Sequence, residues 1–383
     1  MQSDLYNLAP ALELMGVGLI VAGIPFFWFW RKHRHEGDAR RLQALTGLTL
    51  LLTFELVLVG AFTRLTDSGL GCPDWPGCYG SASPLGAAQH IEAAQSAMPT
   101  GPVTFGKAWI EMVHRYMATG VGVMILTLAI WTWRVWRRDR AHAVHPLWPM
   151  FTLVWVCLQG AFGALTVTMK LFPAIVTLHL LMAIGLLVLL SLQAVRYAGW
   201  RSIALPAGLR RLLWLALGLL LVQTALGGWV STNYAVLACR DFPTCQGQWW
   251  PAMNWQGFAL WRELGHGADG QPLPFAALAS IHYVHRCMAW LVLAVLLTLG
   301  WRLRHVSGLH KGARLLLWLC ALQFITGLSN VVLDWPLVAA VLHTGGASAL
   351  MVTLVWMLSL SRLSSVSLPT GRPLSSDPSR PVA

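Results

Sequence analysis

Nine apolar runs dominate this chain, near residues 11-31, 42-63, 109-136, 147-167, 174-196, 210-231, 277-304, 312-333 and 337-361, each long enough to cross about 30 Å of hydrocarbon. A chain that enters lipid must satisfy its backbone polar groups internally, and runs of this length do so as helices. The expected fold class is an all-α integral membrane protein with about nine transmembrane helices. Composition agrees: 56% of the 383 residues are hydrophobic, 11% are charged and the mean hydropathy is +0.59, too little polar surface to cover a soluble globule.

Basic residues set the orientation. Of the 27 Lys and Arg, twenty fall in segments 31-41, 134-146, 196-211, 302-314 and the tail after 361. Five lie in the alternate segments (Arg64, Lys107, Lys170, Arg240, Arg262), and Arg115 and Arg286 lie inside helices. By the positive-inside rule the N-terminus faces outside and the C-terminus the cytoplasm, in a bacterial-type inner (plasma) membrane. The net charge of +12 then reports orientation in a lipid bilayer and calls for no nucleic-acid partner. The first run follows Asp4 without a basic leader, so it is read as a retained helix rather than a signal peptide. Residues 362-383, rich in Ser, Pro, Gly and Arg, are expected to form a disordered cytoplasmic tail.

Three landmarks recur. Cys72-Pro-Asp-Trp-Pro-Gly-Cys78 returns as Cys239-Arg-Asp-Phe-Pro-Thr-Cys245, 167 residues on. Glu111-Met-Val-His114-Arg115 returns as His282-Tyr-Val-His285-Arg286 after 171, and Leu158-Gln159 to Gly163 to His179 returns as Leu322-Gln323 to Gly327 to His343 after 164. Agreement at all three implies a duplicated unit of four helices. An even number of helices returns the chain to its starting side, so the halves are expected to be parallel four-helix bundles spanning 42-200 and 201-361. Residues 1-41 stand outside the repeat as an extra helix and linker, read most simply as an anchor or lipid-facing addition.

A single histidine in a membrane helix is usually satisfied by a neighbouring helix or a water-filled cavity. Four of them, His114, His179, His285 and His343, in two matched pairs favour ligation. Two histidines lack the further protein ligands that zinc takes, whereas a porphyrin supplies four equatorial nitrogens and leaves two axial places. Haem is the expected occupant of both sites. Without any Cys-x-x-Cys-His, it must be held non-covalently.

Only the first pair has a carboxylate one turn before its histidine. Glu111 and His114 share a helix face, about 5-6 Å apart at Cβ, and a carboxylate at membrane depth is a functional candidate by default. The competing reading is a structural bond to a neighbouring helix or to Arg115. His282 holds the equivalent place and is read as a hydrogen-bonding core residue. Glu55, with Gln223 as its counterpart, suggests a hydrogen bond between helices at equivalent positions. Arg64, Arg115 and Arg286 are candidate partners for haem propionates.

All four loop cysteines fall on the side expected to be oxidising. The Cys-x5-Cys spacing favours disulfides Cys72-Cys78 and Cys239-Cys245 over zinc. Cys157, Cys287 and Cys320 are read as packing residues. Short helices are expected at 86-98 and 251-264, the second with interfacial Trp249, Trp250, Trp255 and Trp261.

Together these residues resemble the haem A synthase family. The resemblance rests on Gly60-Ala-Phe-Thr-Arg64 through Cys78, Glu111-x-x-His114-Arg115, Leu158 to Thr168 with Thr177-Leu-His179, Ile281-His-Tyr-Val-His285-Arg286 and Leu342-His343-Thr-Gly-Gly346, over about 43 to 361. It implies two four-helix halves and conversion of haem O to haem A, with the C8 methyl group oxidised to formyl through successive hydroxylations. It further implies that His114 and His179 bind substrate haem O, that His285 and His343 bind a haem B for electron transfer, and that Glu111 is the essential carboxylate. The loop cysteines match the family's redox-sensitive pair; the ninth helix departs from its pattern. A haem O synthase, oxidase-assembly proteins or further copies of the chain are the partners such an enzyme implies. The competing functions are a di-haem cytochrome b-type electron carrier, and a haem exporter or chaperone.

Overall fold

The computed structural model describes residues 9-140, 145-200 and 202-363. Of the tail 362-383 expected to be disordered, Arg362 and Leu363 are described and lie in a short strand, and the rest lies outside the described residues. Among the described residues nine helices are long and apolar enough to cross a membrane. They are α1 (Ala9–His33), α2 (Asp38–Leu65), α4 (Phe105–Asp139), α5 (Leu147–Thr168), α6 (Pro173–Ala198), α7 (Ala207–Thr232), α8 (Phe275–Leu303), α9 (His310–Val332) and α10 (Leu337–Leu360). The short α3 (Ala88–Ala97) lies in the loop before α4. Helix ends follow local chemistry. The Thr104 hydroxyl caps α4 by accepting from the Lys107 N–H, Pro173 opens α6 where no N–H is needed, and Gly199 closes α6 at φ 61°.

The helices form two rings. In the first, α2 and α5 each pack between α4 and α6; in the second, α7 and α9 each pack between α8 and α10. The rings join where α2 meets α10 and α6 meets both α7 and α10. Buried threonines inside these helices return their hydroxyl protons to the carbonyl four residues back, as Thr46, Thr49 and Thr53 do on α2.

At one end of the junction lies a polar seam. Arg64 donates to the Ser231 carbonyl and stacks 4.0 Å over the Tyr234 ring, while the Tyr234 hydroxyl donates to Asp67 at 2.5 Å. Arg64 and Ser231 are 167 residues apart, as are Asp67 and Tyr234. Residues at matching places therefore touch one another here.

α1 is docked along α4. A Cβ on Gly120 would stand 3.2 Å from Val21, so the two backbones approach closely, and Leu14 joins the apolar cluster around Cys72, Cys78 and Met112. Its far face, with Leu12, Ile20 and Ile24, stays exposed.

Three features depart from expectation. The segment 251-264 holds only a single 3-10 turn at Trp255–Phe258. Its backbone is instead tied to the helix ends by side chains: Trp229 Nε1 and Arg262 Nη2 each donate to the Gly257 carbonyl at 2.9 Å, and Arg262 reaches Asn233 Oδ1 at 2.5 Å. Second, β1 (Ile203–Leu205) pairs in parallel with β2 (Ser361–Leu363), a contact between segments too short to carry a pattern. Third, Glu55 is exposed and its side chain makes no hydrogen bond or ion pair among the described residues. The 167-residue register of Gly60 and Gly227 sets Gln223 opposite Leu56, one position from Glu55, which matches the exposed Val222.

Candidate haem sites

The four histidines occupy matched corners. His114 on α4 and His179 on α6 lie at opposite corners of the first ring, and His285 on α8 and His343 on α10 hold the same places in the second. All four are partly buried. Each ring edge rests against a glycine of the helix beside it. A Cβ on Gly60 would lie 3.0 Å from Cε1 of His114, and one on Gly163 3.2 Å from that of His179. On Gly227 it would lie 3.0 Å from His285, and on Gly327 3.1 Å from His343. A side chain at any of these positions would crowd the imidazole. Gly163 and Gly327 were legible as repeat landmarks, but only the fold shows what they face.

Beyond the glycines the halves diverge. Gln159 and Gln323 donate alike, to the backbone carbonyls of His179 (3.1 Å) and His343 (2.8 Å). Gln159 Nε2 also lies 3.4 Å from His179 Nε2. In the second half Gln223 Nε2 donates to the His285 carbonyl (3.2 Å) and lies 3.1 Å from its Nδ1 and 3.4 Å from its Nε2, and Thr326 Oγ1 lies 3.0 Å from His343 Nδ1. In the first half His114 Nδ1 and His179 Nδ1 are buried without a hydrogen-bond partner among the described residues.

Glu111 is buried and firmly held. Arg115 Nη2 donates to its Oε1 at 2.5 Å and the Cys72 N–H to its Oε2 at 2.8 Å. Arg115 also donates to the carbonyls of Asp74 (3.0 Å), Pro76 (3.1 Å) and Gly77. The second half repeats this pattern without the carboxylate. The Cys239 N–H donates to His282 Nδ1 at 3.3 Å, and Arg286 donates to the carbonyls of Asp241 (3.0 Å), Pro243 (3.2 Å) and Thr244 (3.1 Å). His282 is thus a hydrogen-bonding core residue. A propionate role for Arg64, Arg115 or Arg286 has to compete with these loop and seam contacts.

Both loops are closed by disulfides, Cys72-Cys78 and Cys239-Cys245, with Cα separations of 4.9 and 4.7 Å. The aspartate between each pair turns the chain. Asp74 accepts from the N–H groups of Tyr79 and Gly80, and Asp241 from those of Gln246 and Gly247 and from the Thr244 hydroxyl. Burial works against ionisation of Asp241, yet its hydrogen bonds from Thr244, Gly247 and Gln246 hold the carboxyl down at about 2.

Among the described residues no group of three or more His, Cys, Asp or Glu offers a metal cage made of protein alone. Two imidazoles at opposite corners of a helix ring suit a group that brings its own equatorial ligands. Fold and site define a multi-pass helical membrane protein with a pair of inward histidines in each of two helix rings.

Residues 43–355 match the COX15-CtaA family of cytochrome oxidase assembly proteins, and the chain belongs to that family. It is similar to the haem A synthase of Shewanella oneidensis, 39% identical over 319 residues that cover 82% of this chain and 95% of the relative. The haem A synthases of Halalkalibacterium halodurans and Rhodospirillum centenum are each 28% identical, over 83% and 81% of this chain and 96% and 86% of their own lengths. The family match leaves α1 outside.

Proposed function

We propose that this protein is a haem A synthase, a membrane oxidoreductase that converts the C8 methyl group of haem O to a formyl group and so supplies haem A for terminal oxidase biogenesis. The observation that carries this reading is the 39% identity maintained over 95% of the Shewanella enzyme. The relatives bear the name of a synthase rather than of an electron carrier or exporter.

In this reading residues 42-200 form the substrate half, with His114 and His179 as axial ligands of haem O. Residues 201-361 form the cofactor half, with His285 and His343 holding a haem B. Bound haem would supply the redox chemistry that an unactivated methyl group requires. Glu111 takes up the proton released at that carbon or stabilises the positive charge developing there. Arg115 and the Cys72 N–H fix where that carboxylate stands. The disulfide loops lie on the outer face, the N-terminus outside and the C-terminus in the cytoplasm of a plasma membrane, consistent with the basic residues crowding the opposite loops. A haem O synthase delivering the lipophilic substrate, or an oxidase-assembly protein receiving the product, would meet it within that membrane.

Pigment extracted from cells making this protein together with a haem O synthase should contain haem A by mass spectrometry. Haem O alone, with the protein present in the membrane, would overturn the reading.

A further inference from the structure

An enzyme that converts one haem and keeps another must release the first and retain the second, although each is offered the same two imidazoles. The difference has to lie behind the ligands. An imidazole that binds iron through one nitrogen carries its proton on the other, and an acceptor for that proton fixes the ring and strengthens the ligand.

Resting on the function proposed above, we infer that Gln223 and Thr326 make the second histidine pair a retaining site, and that Leu56 and Phe162 make the first an exchanging one. Thr326 gives its own hydroxyl proton to the Leu322 carbonyl at 2.7 Å, which leaves an oxygen lone pair facing His343 Nδ1 3.0 Å away. Gln223 Nε2 donates to the His285 carbonyl at 3.2 Å and lies 3.1 and 3.4 Å from Nδ1 and Nε2 of that ring, while its Oε1 is buried without a partner among the described residues. Turning the amide gives up the carbonyl bond and presents the oxygen to His285 Nδ1. The register that aligns Gly60 with Gly227 puts Leu56 in the place of Gln223, and the one that aligns Gly163 with Gly327 puts Phe162 in the place of Thr326. Neither replacement carries a side-chain acceptor. Among the described residues His114 Nδ1 and His179 Nδ1 are accordingly buried without a hydrogen-bond partner, and the polar contact to this pair of rings is Gln159 Nε2, 3.4 Å from His179 Nε2. A polar side chain thus stands beside each Nδ1 of the second pair and beside neither Nδ1 of the first among the described residues.

The test follows haem loss rather than turnover. In full-length protein carrying His114→Ala and His179→Ala, so that only the second pair holds haem, transfer to excess apomyoglobin is timed by absorbance. Gln223→Leu and Thr326→Val should each speed that transfer by about 10- to 100-fold, the usual penalty for removing a partner behind a metal-bound histidine. Each should also raise the midpoint potential, because the ligand donates less charge. Thr326→Ser keeps the hydroxyl and should restore slow transfer. In the complementary protein, with His285→Ala and His343→Ala, Phe162→Thr should slow haem release from the first pair. Unchanged transfer rates in Gln223→Leu and Thr326→Val overturn the inference while leaving the synthase reading intact. If instead the protein with only the second pair takes up no haem, the proposed haem assignment itself falls.

Discussion

The two disulfide loops and the two histidine pairs are built to the same plan, yet the residues touching them are not. In both halves a loop cysteine N–H reaches the residue three places before the first histidine, an arginine ties down the loop carbonyls, and a glycine faces each imidazole. The first half places a carboxylate under that N–H and leaves both Nδ1 atoms without a hydrogen-bond partner among the described residues; the second places His282 there and sets Gln223 and Thr326 beside the two Nδ1 atoms. Two matched histidine pairs thus stand among unlike neighbours.

The sharpest way to break the comparison is Glu111→Gln, which should leave haem bound and abolish haem A formation. Haem A at the unaltered level by mass spectrometry would reduce Glu111 to a structural clamp. Next in size, Arg115→Leu strands a buried carboxylate and should cost about 3–5 kcal/mol, whereas Arg286→Leu strands only loop carbonyls and should cost less. Thermal unfolding in detergent measures both, and equal losses would erase the contrast between the halves. Gly60→Ala and Gly227→Ala should be alike, each costing about 1–3 kcal/mol through overpacking against a histidine and each disturbing the visible spectrum of its own haem. A response in one half alone would show that the two pockets are not equivalent in shape. The smallest effect concerns the second loop. Asp241 titrates at about 2 when folded, below the usual aspartate value of about 3.9. Its contribution is therefore full above about pH 4 and is lost as pH falls toward 2. Asp241→Asn should flatten this acid limb in a loop-specific proteolysis assay.

Most of the fold was legible because hydrophobic length alone decides a membrane span. Each apolar run became a helix with ends shifted by a few residues, as for 42-63 against Asp38–Leu65. The histidines and cysteine pairs were legible because the repeat supplied a second copy of each. What escaped depends on contacts distant in sequence. The 251-264 segment has aromatic residues in plenty, but Arg262 and Trp229 hold its Gly257 carbonyl in a loop rather than a helix. Glu55 looked like the partner of Gln223 because both are polar and mid-helix; one residue of register sets them about 100° apart around their helices, and the glycines facing the histidines reveal the slip. Leu56 and Phe162 carry no polar signal at all, so their meaning appears only beside Gln223 and Thr326.

The seam between the rings carries a consequence of its own. Were the two rings separate copies of one polypeptide related by a two-fold axis, a residue on that axis would meet itself, and a carboxylate there would meet a carboxylate. Joining the copies in one chain lifts that restriction. Asp67 can then accept from Tyr234, and Arg64 can donate to Ser231, each pair made of matching positions that have become unlike. Covalent linkage thus permits a permanently lopsided machine, with a distinguishable left and right, which a symmetric assembly of equal subunits could not encode.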